Sequence, residues 1–248
     1  MDIFFINLFF ITAFIFLSYK VSVSGFYDWD IDQFMYGASR LINGELPWIN
    51  EFDDKLPILH YIFSLPAYFK NLYPWIIFNI LLTLLTGLFT YKLIRQLIID
   101  SYKELKPNLT EKICFTSTCF YLFLIVFTQG SLIHINALCS NLTLLIIYLL
   151  YKKNNYLLIK SPRFILASLL ASITISLRPY LLLPILVFAF WKPLRNYKTF
   201  KNYNLTLSNY KFQSLRYAIF WILYIFVWGV ILNFLPYIFT NNIYCSIS

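Results

Sequence analysis

Three carboxylates at alternate positions, Asp28, Asp30 and Asp32, open the most polar stretch of this chain, and Asp53 and Asp54 close it just ahead of Lys55. Seven of the eleven acidic residues fall between Asp28 and Asp54. Carboxylates gathered in this way can act as proton acceptors, or hold a divalent cation as oxygen ligands, although no spacing among these five requires a metal. Asp is also a favoured helix cap, and Asp32, directly ahead of an apolar periodic run, is expected to cap the helix formed by that run. One cap does not need three acids, so Asp30 is a candidate for chemistry, with an ordinary solvated carboxylate as the bland reading. The bland reading of Lys55 is a snorkelling or acid-paired surface lysine. Arg178 lies within a long apolar run and beside Pro179; an ionisable group at membrane depth in a broken helix is costly and often functional, and the bland reading is a helix-end arginine reaching the interface.

The elements that would position these groups are oily. The chain is 60% hydrophobic and 12% charged, about half the charged fraction of a soluble domain, which predicts an integral membrane protein. The net charge of +9 does not point to nucleic acid, because the basic residues come in short runs flanking apolar segments and not on one face. The four cysteines, Cys114, Cys119, Cys139 and Cys245, form no C-x-x-C pair and suggest neither zinc nor a disulfide framework. His60 and His134 lack partners at metal-ligand spacing and read as packed or interfacial residues.

Apolar runs predict membrane helices over Ile3–Tyr19, Pro74–Ile99, Ile113–Thr128, Leu132–Tyr151 and Tyr217–Leu235. The first lacks the basic start and small-residue cleavage site of a removable signal peptide. A further run, Phe164–Trp191, is interrupted at Arg178-Pro179 and Pro184 and has basic residues on both flanks. A broken hairpin with Arg178 near its turn keeps both flanks on one side. The expected fold class is therefore all-α, polytopic and transmembrane, with about seven membrane segments by the length rule.

If the basic connectors Asp100–Lys112, Lys152–Arg163 and Lys192–Arg216 face the cytoplasm, residues 20–73 form a loop in the opposite compartment. Within that loop Phe34, Met35, Ala38, Leu41 and Ile42 share one helical face, and Asn43-Gly44 makes a stop, predicting an amphipathic helix along the interface. Pro57 opens a second interfacial segment running toward Phe69. Asn-Leu-Thr at Asn108, Asn141 and Asn204 falls in cytoplasmic or intramembrane positions, where it is not a glycan acceptor. The tail from Asn241 to Ser248 reads as polar and featureless.

The polar loop resembles the first extracytoplasmic loop of membrane glycosyltransferases with the GT-C fold, among them protein O-mannosyltransferase and aminoarabinose-transferase relatives. Those loops start with an Asp, pass through an aromatic and small-residue helix to a Gly, then a Pro-aromatic pair, and end on a W-D-x-K-P-P-like motif. Here the matching residues are Asp30, then Phe34, Tyr36 and Ala38, then Gly44, Pro47-Trp48 and Phe52-Asp53-Asp54-Lys55-Leu56-Pro57. Leu56 stands where the first Pro of the pair is usual, and Asn50 where a further Asp is common. Leu177-Arg178-Pro179 resembles the point at which relatives carry a Lys or Arg in a broken helix.

The resemblance implies a GT-C-like transmembrane domain over residues 1–248, or its N-terminal portion. It implies a polyprenyl-phosphate-linked sugar as donor and a glycan, lipid or protein hydroxyl as acceptor. Asp30 would be the catalytic base, and Lys55 and Arg178 would hold the donor phosphate. Asp28, Asp32, Asp53, Asp54 and Tyr36 would support the acceptor or a metal, with no cofactor required and a divalent metal optional. The protein would sit in the cytoplasmic membrane, or in the endoplasmic reticulum of a eukaryote, its loop facing away from the cytosol. Two other readings are a shortened, non-catalytic relative and a transporter or membrane scaffold. The latter usually carries paired broken helices, and only one interruption is visible here.

Overall fold

A computed structural model describes residues 7–8, 11–12, 14–16, 29–45, 56–102, 105–128, 135–151, 161–187 and 207–244. Every extended element among them is helical: α1 (Trp29–Ile42), α2 (Pro57–Tyr68), α3 (Tyr73–Ser101), α4 (Pro107–Thr128), α5 (Ile135–Tyr151), α6 (Pro162–Leu177), a 3-10 turn at Pro179–Leu181, and α7 (Leu207–Tyr244). Prolines sit at the first turns of α2, α3, α4 and α6, where a fixed φ favours the helix and a missing N–H costs nothing. Ser161 completes the start of α6, its Oγ accepting the Phe164 N–H at 3.2 Å.

Two helices are long and apolar enough to cross a bilayer: the 29-residue α3, and α7 over the 20 residues Leu215–Phe234. α5 and α6 are apolar but have only 17 and 16 residues, short of the ~20 a full crossing needs. The expectation of about seven spans is thus met by length and composition at these two among the described residues. α6 stops short because its chain breaks at Arg178. The last helix departs from expectation the other way: α7 starts ten residues ahead of Tyr217 and runs on through Asn241 to Tyr244, into the tail expected to be featureless.

α1 begins by Trp29, so Asp32 lies inside its first turns and is exposed, not at the cap. The expected stop is present, with Gly44 at φ 89°, a left-handed turn that glycine enters without a Cβ clash. The buried face is Ile31, Phe34 and Ala38. Ile42, expected on it, is 43% exposed, because the apolar face drifts around the helix by its last turn.

The chain forms two compact units, one of Met1–Asp54 with His60–Leu145, the other of Lys55–Leu59 with Ile146–Ser248. In the first, Phe34 stacks obliquely on Phe63 at 5.4 Å, and Phe63 on Trp75 at 4.6 Å. His60 is fully buried against α1 at Gly37, where a Cβ would stand 2.5 Å from both Cε1 and Nδ1 of the imidazole. Glycine to alanine inside an open helix normally stabilises by about 0.5–1 kcal/mol. At this site overpacking reverses the sign, and Gly37→Ala is expected to lower stability by about 1–3 kcal/mol, read as a lower thermal midpoint in detergent.

α3 and α4 run antiparallel. Tyr91 donates to Glu111, and Arg95 pairs with Glu111 at 3.1 Å near the end of α3 and the start of α4. Further along, Gly87 leaves space for Leu122. In the second unit α6 and α7 run parallel: Phe164 meets Tyr217 and Trp221, Ser172 meets Gly229, and Ser176 meets Asn233. Ser168, Ser172 and Ser176 recur every fourth residue, and small side chains at that spacing allow two helices to approach closely. Parallel helices whose starts lie at one end require the chain after Arg178 to return to the end where α6 began. The returning segment, residues 188–206, on which the expected broken hairpin depends, lies outside the described residues.

Candidate functional site

The break at Arg178 is built by its neighbours. Pro179 has no N–H and clashes with a helical conformation at the preceding residue, and Arg178 accordingly takes an extended backbone with φ −144° and ψ 91°. Its N–H still donates to the Thr174 carbonyl at 2.9 Å, and its carbonyl accepts the Leu181 N–H at 3.0 Å. Helix resumes at 182–187. The half-buried arginine therefore marks the end of α6 remote from Arg163, and, because α7 is parallel, remote from Arg216 as well.

The opening of α2 is fastened at this same end. Asn233 on α7 is 3% exposed. Its Oδ1 accepts the Ile58 N–H at 3.3 Å, and its Nδ2 donates to Ser176 Oγ at 3.1 Å and to the Gly229 carbonyl at 2.9 Å. One amide thus ties the first turn of α2, three residues past Lys55, to α6 two residues before Arg178. Sequence reasoning passed over Asn233, although its signal was present: a lone amide between Leu232 and Phe234 in an apolar span is commonly an interhelical hydrogen-bonding group.

In the first unit Asp30 and Asp32 both lie in the first turns of α1, where the helix dipole favours negative charge. Helical spacing separates them. Position 30 falls on the stripe of Phe34 and Gly37, whereas Asp32 shares an exposed stripe with Tyr36, itself 60% exposed. The Arg40 guanidinium stands 5.8 Å from the Tyr36 ring centroid and pairs with Glu45. The hydrogen bond to Glu45 holds the arginine's pKa above its usual value, and the ion pair fastens the end of α1. Asp28, Asp53, Asp54 and Lys55, and the side chain of Asp30, lie outside the described residues. No cluster of three or more His, Cys, Asp or Glu suited to a metal occurs among the described residues.

A second polar cluster resembles a site but is fully explained by packing. Asn141 is completely buried. Its Oδ1 accepts from Thr86 Oγ1 at 2.7 Å and from the Tyr121 hydroxyl at 2.6 Å, and its Nδ2 donates to Thr83 Oγ1 at 2.9 Å. The node joins α3, α4 and α5, and its committed amide agrees with reading that Asn-Leu-Thr as no glycan acceptor. Asn141→Leu is expected to cost about 1–2 kcal/mol, the scale of interhelical polar contacts in membranes, measured by denaturant titration in mixed micelles. Comparison with known protein families, curated proteins and solved structures finds no match to this chain.

Proposed function

We propose that the chain is a polytopic membrane glycosyltransferase of the GT-C kind, moving a sugar from a polyprenyl phosphate to an acceptor hydroxyl at the extracytoplasmic face. Support for the bilayer setting comes from α3 and α7, whose outward faces are apolar; Leu81, Leu88 and Phe226 are each more than 60% exposed. The observation that carries the functional reading is the shared end of the second unit. The exit of the acidic loop, through Ile58, and the helix break at Arg178 are joined there through Asn233, away from the basic residues that would face the cytoplasm.

In this reading Asp30 accepts the proton of the acceptor hydroxyl as its oxygen attacks the anomeric carbon. The bond from that carbon to the phosphate oxygen breaks, its electron pair leaves with the polyprenyl phosphate, and the anomeric centre inverts. The departing phosphate gains negative charge, which fixed cations at Lys55 and Arg178 offset without reorganising. The test is incubation of the purified full chain in nanodiscs with radiolabelled polyprenyl-phosphate hexoses and pentoses and a membrane extract as acceptor. Transfer with inversion is the expected result. Absence of transfer from every donor, by protein that is inserted and helical, would overturn the proposal.

A further inference from the structure

One stripe of α3 changes character partway along its length. Ile77, Leu81, Leu84 and Leu88 recur at three- and four-residue spacing and are all exposed. Lys92 and Arg95 continue the same stripe one and two turns further on, and both are exposed. The opposite stripe, Asn79, Thr83, Thr86 and Thr90, is buried, so the apolar-to-basic stripe faces away from the protein. From Tyr73, exposed at the start of α3, to Lys92 the helix rises about 28 Å, close to the ~30 Å of hydrocarbon in a bilayer. A helix seated by that length holds Lys92 and Arg95 at the depth of the phosphates. Their neighbours leave them able to bind. Arg95 Nε donates to Glu111 Oε1 at 3.1 Å, which steadies the guanidinium, while its two terminal amino groups have no hydrogen-bond partner among the described residues. The Lys92 ammonium lies 5.8 Å from the Phe89 ring centroid, a contact that orients the cation without neutralising it. Exposed Lys106 and Lys112 on α4 add positive charge to this end, and Asp100 and Glu111 offset part of it.

We infer that Lys92 and Arg95 form a headgroup site for an anionic phospholipid, whose phosphate lies between the guanidinium and the ammonium and whose acyl chain runs along Leu88, Leu84 and Leu81. Charge complementarity selects the phosphate, and Arg supplies the planar donors suited to its oxygens. Solvated surface cations would need no apolar stripe leading to them, and a free phosphate would leave that stripe uncovered. A phospholipid covers both parts because its phosphate and its chains are one molecule. The site lies at the opposite end of α3 from α2, so this lipid is distinct from the sugar donor. The inference rests on the bilayer setting proposed above and is independent of sugar transfer.

The test titrates the full chain in dodecyl maltoside micelles with palmitoyl-oleoyl phosphatidylglycerol or phosphatidylcholine and counts bound lipid by native mass spectrometry. Phosphatidylglycerol is expected to bind at least about fivefold more tightly than phosphatidylcholine, the scale of one basic residue near anionic headgroups. Lys92→Gln and Arg95→Gln are each expected to weaken phosphatidylglycerol about fivefold and to leave phosphatidylcholine within about twofold. Arg95→Gln also breaks the pair with Glu111, whereas Lys92→Gln removes only a ring contact and so reads lipid binding apart from folding. Lys106→Gln, at the start of α4 and off the stripe, is expected to change either affinity by less than about twofold. Equal losses in Lys106→Gln and Lys92→Gln overturn the site in favour of diffuse attraction, and displacement of the lipid by inorganic phosphate overturns its assignment to a phospholipid. A parent chain that inserts into nanodiscs but shows no preference for phosphatidylglycerol overturns this inference alone. A chain that enters no nanodisc overturns the bilayer setting together with it.

Discussion

Asp30→Asn is expected to slow sugar transfer by about 10²–10⁴-fold, the usual contribution of a positioned general base, with membrane insertion and helical content unchanged. Asparagine keeps the size of the side chain and much of its value in the first turn of a helix, so a fold defect is not expected to masquerade as a catalytic one. Asp32→Asn is the matched control: its residue is exposed and shares the stripe of Tyr36, and its loss is expected to change turnover less than about threefold if only the dipole interaction is removed. Single-turnover rates with preformed donor complex would distinguish a slowed chemical step from weakened binding. Equal loss in both variants would mean that the acidic loop works through its summed charge and not through one base.

Arg178→Ala is expected to reduce kcat by about 10²–10³-fold, the scale found on removing one group that stabilises developing charge. The departing phosphate gains charge along the reaction, so this deficit should appear in kcat as well as in donor KM. Arg178→Lys retains a cation but loses the planar fork suited to paired phosphate oxygens, and should recover only part of the rate. Lys55→Ala is expected to parallel Arg178→Ala in donor dependence. Full activity of the Arg178→Ala variant would show that the phosphate is held elsewhere.

The helices were legible in the sequence wherever proline or glycine punctuates an apolar run. Pro57, Pro74 and Gly44 each mark an end that the structure keeps to within a residue. The break at Arg178 was legible for the same reason, since a proline constrains the residue before it whatever the tertiary setting. Asp32 was misassigned because capping preference weighs only the residues on the C-terminal side, and the turn containing Trp29 extends the helix upstream. The number of crossings was less legible: among the described residues two helices are long and apolar enough to span a bilayer, with shorter apolar ones beside them, because hydropathy does not reveal how far helical hydrogen bonding continues. Asn233 went unseen for a different reason. Its meaning depends on Ile58, 175 residues away, and no local pattern connects an amide in one span to an uncapped donor at the start of a distant helix.

That separation also orders events during biogenesis. At about 5–20 residues per second, a ribosome needs roughly ten to thirty-five seconds after making Ile58 to reach Asn233. Throughout that interval the Ile58 N–H lacks the side-chain acceptor it has in the folded chain. The tie between the start of α2 and the end of α6 therefore cannot form until α7 has been made, after both of the helices that it joins.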